Sequence, residues 1–227
     1  MKLGVFLAAL TAPLAFPAAA PAQTRPASVD WTRTVVATPE GGFRMGNPNA
    51  ALKLVEYASL TCPHCATFAR EGMATLRANH IRSGRVSFEL RNYVLNGIDV
   101  TASLLARCAA PADFFRITER LFETQPLWIN RITELDQAEK DRLRALPEGQ
   151  RLVRIAELGG LNQIAAQNGV NLQRARQCLS DPTRLEQLGR MTETASGMGV
   201  EGTPTFFLNG RMLDVNVWQA IEPLLGG

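Results

Sequence analysis

Four adjacent residues, Cys62-Pro63-His64-Cys65, have the types and the spacing for thiol–disulfide chemistry. Two thiols three positions apart can close a small disulfide ring without moving the backbone when they sit where a strand gives way to a helix. At such a junction the first sulfur faces unpaired N–H groups and the positive end of the helix dipole, and both favour the thiolate. An unperturbed thiol, with a pKa of about 8.5, is only a few per cent ionised at neutral pH. Each unit of depression adds about 1.4 kcal/mol in favour of the reduced, ionised form. His64, between the thiols, offers a positive charge or a hydrogen bond to the same sulfur. A stabilised thiolate leaves readily, so the disulfide of such a pair is a strong oxidant. Two other readings stay open. A zinc site would need a second pair of closely spaced ligands, whereas Cys108, Cys178 and His80 stand singly. A purely structural disulfide in so small a ring would constrain little of the unfolded chain.

The elements that must position these residues are legible on both sides. Leu52-Lys53-Leu54-Val55-Glu56-Tyr57 is a largely apolar strand suited to the middle of a sheet. A helix follows from Pro63, which fits the first helical position, to about Asn79. Arg85 to Arg91 alternates at period two, with Val86, Phe88 and Leu90 on one face. From about Asp99 to Met198 the pattern is helical almost throughout, broken at Gly149, Gly159-Gly160, Gly169 and Asp181-Pro182. Gly159-Gly160 lacks the context of a phosphate loop. Thr205-Phe206-Phe207-Leu208 is a strand, Asn209-Gly210 a tight hairpin turn, and Arg211-Met212-Leu213 its return. A closing helix runs from Asn216 to Leu225. Gly41 to Pro48 makes a short strand and turn, and Gln23 to Pro39 a loosely held arm. Trp128 and Trp218 belong in the core, and His80 can meet the last carbonyls of the active-site helix.

Composition bounds the function classes. The chain has 227 residues, 46% hydrophobic and 20% charged, with a formal net charge of +3, a balance that excludes disorder and a dense disulfide scaffold. Arginines are spread without a run, which argues against a nucleic-acid groove. Met1-Lys2, the apolar stretch from Leu3 to Phe16 and the small residues Ala20 and Ala22 read as a cleavable signal peptide over residues 1–22, cut after Ala22. Pro13, Pro17 and Pro21 interrupt it too often for a membrane span. Export places the protein in a bacterial envelope compartment, the periplasm, where disulfides persist.

Two segments carry a family resemblance. Val55 to Cys65 resembles the active-site region of the DsbA family of thioredoxin-fold thiol:disulfide oxidoreductases, and Gly202-Thr203-Pro204-Thr205 to Gly210 resembles that family's cis-proline loop and hairpin. The implied fold is α/β, thioredoxin-like, with an inserted all-helical domain. Its divisions would be a signal peptide at 1–22, an arm at 23–40, thioredoxin-like parts at 41–96 and 181–227, and the helical insertion at 97–180.

The resemblance further implies that Cys62 is the exposed nucleophile and Cys65 its buried partner, with Pro63 and His64 between them. It makes Thr203–Pro204 a cis bond that lies against the Cys62 sulfur and pairs with bound peptide. Glu56 becomes a carboxylate beneath the site that assists proton transfer, unless it is a surface acid at a strand end. Threonine before the proline departs from the enteric oxidants, which carry valine, and leaves the redox poise open. Cys108 and Cys178 would form the second, structural disulfide found in some branches; the alternative is two buried thiols. The activity implied is that of a periplasmic dithiol oxidase acting on unfolded exported proteins with Cys thiols. It would need no metal or cofactor, would be reoxidised by a quinone-linked, DsbB-like membrane protein, and would be a monomer. The alternatives are an isomerase or reductase of the same fold and a non-catalytic peptide-binding holdase. Dimeric isomerases resembling the family carry an N-terminal dimerisation region, for which the stretch before Leu52 is short.

Overall fold

The computed structural model of the chain describes residues 29–226, together with Met1 and Gly4. The expected signal peptide and its cleavage after Ala22 lie, but for those two residues, outside the described residues.

Strands β1 (Val35–Ala37), β2 (Phe43–Gly46), β3 (Leu52–Ala58), β4 (Val86–Asn92), β5 (Thr205–Leu208) and β6 (Arg211–Met212) form one sheet. Their order is β1-β2-β4-β3-β5-β6, with β3 and β4 parallel and the other neighbours antiparallel. The apolar runs of β3 and β4 take the centre because both their faces are covered. The parallel pair needs a crossover, and helix α1 (Pro63–Thr75), continued by a wider π turn over Leu76–Ile81, supplies it. Phe68 of α1 is the pivot of the core beneath it. Its ring centroid lies 4.6 Å from that of Phe206, 6.3 Å from Phe88 and 6.0 Å from Trp218. Gly72, one turn further, is required by close approach, since a Cβ there would stand 2.8 Å from the Trp218 ring. The hairpin turn has Asn209 at φ 51° and Gly210 at φ 81°, the left-handed pair a two-residue turn demands.

Between β4 and β5 run α2 (Gly97–Cys108), α3 (Phe114–Glu123), α4 (Gln125–Thr133), α5 (Gln137–Ala145), α6 (Glu148–Gly159), α7 (Leu161–Gln167), α8 (Leu172–Leu179) and α9 (Pro182–Gly197). Helix α9 packs against β4, and α10 (Trp218–Ile221) closes the chain against α1. Trp128 is buried and donates its indole N–H to Leu121 O at 2.9 Å. Among the described residues no helix is long and apolar enough to cross a membrane.

Two expectations are corrected. Residues 35–37 are no loose arm: they form the edge strand β1, Val35 opposite Met45 and Ala37 opposite Phe43. The contacts that hold this region come from far along the chain. Thr38 donates its hydroxyl to Glu89 at 2.7 Å, and Arg107 donates to Gly41 O at 2.7 Å. His80 does not serve the helix's last carbonyls. It is buried, with Nδ1 2.9 Å from the Arg85 guanidinium, and burial followed by that positive neighbour holds its pKa below the ordinary value.

Candidate active site

Cys62 is the N-cap of α1, in extended conformation at φ −80° and ψ 122°, with Pro63 at the first helical position. Its N–H donates to Ser59 O and its carbonyl accepts from Ala66 N–H, both at 3.2 Å. The backbone N–H groups of His64 and Cys65, unused within the helix, are left to face the sulfur. The peptide bond between Thr203 and Pro204 is cis, and the Cys62 thiol donates to the Thr203 carbonyl at 3.2 Å. Cys62 is therefore not the exposed nucleophile expected: it is 6% exposed. Cys65, one helical turn on, is fully buried, and both cysteines are present as thiols.

The two thiols are driven in opposite directions. Cys62 is lowered from 9.0 to about 5, first by the hydrogen bond from the Cys65 thiol, then by Thr203 and by the N–H groups of Cys65 and His64, against the opposing effect of burial. Thr203 meets the sulfur with its carbonyl as acceptor, and its buried hydroxyl has no hydrogen-bond partner. Cys65 is pushed well above the usual thiol range, first by burial and then by its hydrogen bond to Cys62 and the neighbouring Glu56. Glu56 is no surface acid. It is 2% exposed, its Oε1 has no hydrogen-bond partner, and burial followed by the Cys62 charge raises its pKa well above the carboxylate range. The side chain of His64 is exposed and makes no hydrogen bond to the sulfur; the residue's contribution is its backbone N–H.

Residues that the sequence reading passes over hold the loop before Cys62. Asp99, in the first turn of α2 and fully buried, accepts from Leu60 N–H at 2.9 Å and from Leu95 N–H at 3.0 Å. Gln125, which opens α4, donates through Nε2 to Leu60 O at 2.8 Å and to Cys62 O at 3.0 Å. Asn96 donates to the Thr61 hydroxyl at 3.2 Å. The one available signal was an acid, Asp99, between Ile98 and Val100 in an otherwise apolar helix start. Cys108 and Cys178 are joined in a disulfide between α2 and α8, with S–S 2.00 Å and Cα–Cα 6.2 Å. Among the described residues no cluster of three or more His, Cys, Asp or Glu could hold a metal.

Comparison with known proteins places this geometry. The thioredoxin family model matches residues 38–225. A protein-disulfide isomerase from Novosphingobium aromaticivorans superposes with a TM-score of 0.75 at 29% identity, over 81% of this chain and 97% of that one. The alpha-DsbA1 protein of Wolbachia pipientis shares the fold, with a TM-score of 0.64 at 20% identity over 80% of this chain and 87% of that one. A curated relative from Rickettsia typhi, provisionally named a protein-disulfide oxidoreductase, is 27% identical over 168 residues, 73% of this chain. The chain spans about half the length of such curated relatives, 54% of that one. With the cysteine pair at the head of α1, the cis-proline loop against it and the family model matched over residues 38–225, the chain belongs to the thioredoxin family.

Proposed function

We propose that the chain is a periplasmic thiol:disulfide oxidoreductase that donates a Cys62–Cys65 disulfide to unfolded exported proteins. The observation that carries this reading is the placement of the two thiols, Cys62 capping α1 with its sulfur 3.2 Å from the Thr203 carbonyl and Cys65 fully buried one turn on, an arrangement that lowers Cys62 to about 5 and raises Cys65. A substrate thiolate attacks Cys62 Sγ of the oxidised pair, the Cys62–Cys65 bond breaks, and Cys65 leaves with the electron pair. Cys65 is basic when buried, so it takes up a proton, and Glu56 is placed to supply one. A second substrate thiolate then attacks the substrate sulfur of the mixed disulfide. Cys62 leaves as the stabilised thiolate, the substrate has lost two electrons, and the enzyme has gained them. The exchange itself uses no metal or organic cofactor. Backbone groups beside Thr203 would pair with an extended peptide. Reoxidation falls to a quinone-linked membrane protein, and the working form is a monomer.

The test is equilibration with glutathione buffers. A potential near −120 mV, that of a strong dithiol oxidant, supports the oxidase. A value near −270 mV, that of thioredoxin, replaces it with a reductase. Isomerisation is a second reading, favoured by Thr203 before the cis-proline and by the name of the Novosphingobium protein. Recovery of activity from a scrambled disulfide substrate, with no net oxidation, would select it.

A further inference from the structure

Leu60 lies two residues before the nucleophile, is fully buried, and has both polar groups of its backbone held by side chains of the helical block. Asp99 of α2 takes its N–H at 2.9 Å, and Gln125 of α4 takes its carbonyl at 2.8 Å. The second N–H of the same Gln125 amide reaches the Cys62 carbonyl at 3.0 Å. Gln125 is itself 4% exposed, so neither contact is a surface accident. One rigid amide thus fixes the spacing between the peptide entering the site and the peptide that starts α1.

That spacing matters electrostatically. The Cys62 sulfur gains its thiolate character first from the Cys65 thiol, then from Thr203 and from the backbone N–H groups of Cys65 and His64. Such interactions fall away steeply with misalignment. A tilt of the Leu60–Cys62 segment would carry Sγ off these partners together. Preorganisation of this kind needs a supporting set of contacts on rigid elements. Helices α2 and α4 are such elements, and the Asn96 cap of α2 adds a contact to the same loop at the Thr61 hydroxyl.

We propose that Gln125, backed by Asp99, is a positioning residue for Cys62: the helical block grips the Leu60 peptide from both sides and so holds the sulfur in its thiolate-stabilising pose. The inference rests on the proposed exchange chemistry and gives the helical block a direct part in it.

Alkylation of the reduced protein by iodoacetamide between pH 3 and 9, in a Cys65→Ser background with and without Gln125→Met or Gln125→Glu, tests it. Met conserves volume and removes both donors. Glu keeps the shape and turns an acceptor toward the two carbonyls. Asp99→Asn, which keeps the size and removes the double acceptor, is the partner experiment. The expected result is a profile moved up by about one pH unit with Gln125→Met, further with Gln125→Glu and in the same direction with Asp99→Asn. Well below the midpoint of the Cys65→Ser parent the rate falls about tenfold for Gln125→Met, while far above it, where every thiol is ionised, the rates converge. Altered access to the sulfur would instead change the rate equally at both ends. Profiles that coincide with the Gln125 parent overturn the proposal, even if the thermal midpoint drops, since the contact would then support the fold alone. Failure of both Gln125 variants to fold overturns it for the same reason. A parent protein of native Cys65 that titrates near pH 8.5 refutes the proposed exchange chemistry instead, so the two failures are distinguishable.

Discussion

The thiol of Cys62 and the backbone carbonyl of Thr203 stand 3.2 Å apart across 141 residues of sequence. Two hydrogen-bonding groups of Thr203 therefore compete for one sulfur. Its carbonyl accepts from the protonated thiol, and its hydroxyl can donate to the thiolate. While the thiol is neutral the hydroxyl is buried without a partner. Thr203→Val, nearly isosteric, removes that unpaired group. The variant should be more stable when the pair is a neutral dithiol, by about 1 kcal/mol. Its thiolate should be weaker, so Cys62 titrates higher, by up to about one unit. Ultraviolet absorbance of the thiolate against pH reads the second effect and thermal unfolding at pH 4 the first.

The split between the thiols makes the two cysteines unequal in exchange. Cys62→Ser should abolish oxidation of a dithiol peptide. Cys65→Ser should accumulate a mixed disulfide on Cys62 that resolves only with added thiol. Intact-mass measurement after mixing with a single-thiol peptide distinguishes the variants. An adduct on Cys65 in the Cys62→Ser protein would reverse the assignment.

The depressed pKa of Cys62 also links redox state to stability. Its folded value is near 5 against an ordinary 9.0, so the reduced protein gains stability that is complete above 9 and lost as the pH falls through 5. At pH 7 the full shift corresponds to about 3 kcal/mol. Residual solvent screening at the sulfur reduces it to about 1–2 kcal/mol. The disulfide form has no such thiolate. The thermal midpoint of the reduced protein should therefore fall relative to the oxidised protein between pH 7 and pH 5, by about 5 °C. Parallel midpoints over that interval would show that the thiolate is not stabilised by the fold.

What could be read from the chain was local. Cys62-Pro63-His64-Cys65, the strand before it and the Asn209-Gly210 turn announce themselves because their determinants lie within a few residues. Periodicity places β3, β4 and the long helical run for the same reason. The edge strand β1 escaped because Val35 and Ala37 owe their pairing to Met45 and Phe43, and their neighbourhood to Glu89 and Arg107. The family resemblance set Thr203 against the Cys62 sulfur, but not the closeness of packing that leaves Cys62 only 6% exposed, which depends on residues far along the chain. Gln125 escaped entirely: a glutamine before a proline at a helix start carries no mark of the two carbonyls it will meet. His64 misled in the opposite sense, since its side chain looked chemical and its backbone N–H is what faces the sulfur.

The disulfide between Cys108 and Cys178 ties α2 to α8 across 70 residues. Its closure removes loop entropy from the unfolded chain worth about 4 kcal/mol, so Cys108→Ala with Cys178→Ala should lower the thermal midpoint by about 10 °C. Because α2 also carries Asp99, the Cys62 profile is a useful second reading. It should stay put so long as α2 keeps its place, which alkylation of the double variant below its unfolding midpoint will show.

Glu56 offers the last test, since stability and rate should move oppositely. It lies on β3 opposite Phe206 and Leu90, where burial, followed by the Cys62 charge, raises its pKa well above 4.5. The folded chain therefore keeps a proton that the unfolded chain releases. The associated stability is whole below the ordinary value of 4.5 and is lost as the pH rises through the raised one. Glu56→Gln cannot ionise and escapes that loss. The variant should be more stable than the parent, and the gap should widen from pH 5 upward in thermal or urea unfolding. Its chemistry should suffer, because the departing Cys65 sulfur, buried and strongly basic, meets an amide in place of a carboxyl that can hand over a proton. Reduction of the Cys62–Cys65 disulfide by a dithiol should slow about tenfold or more, with the solvent isotope effect altered. A Glu56→Gln protein that exchanges at the parental rate would leave Glu56 a buried acid with no part in the proton's path.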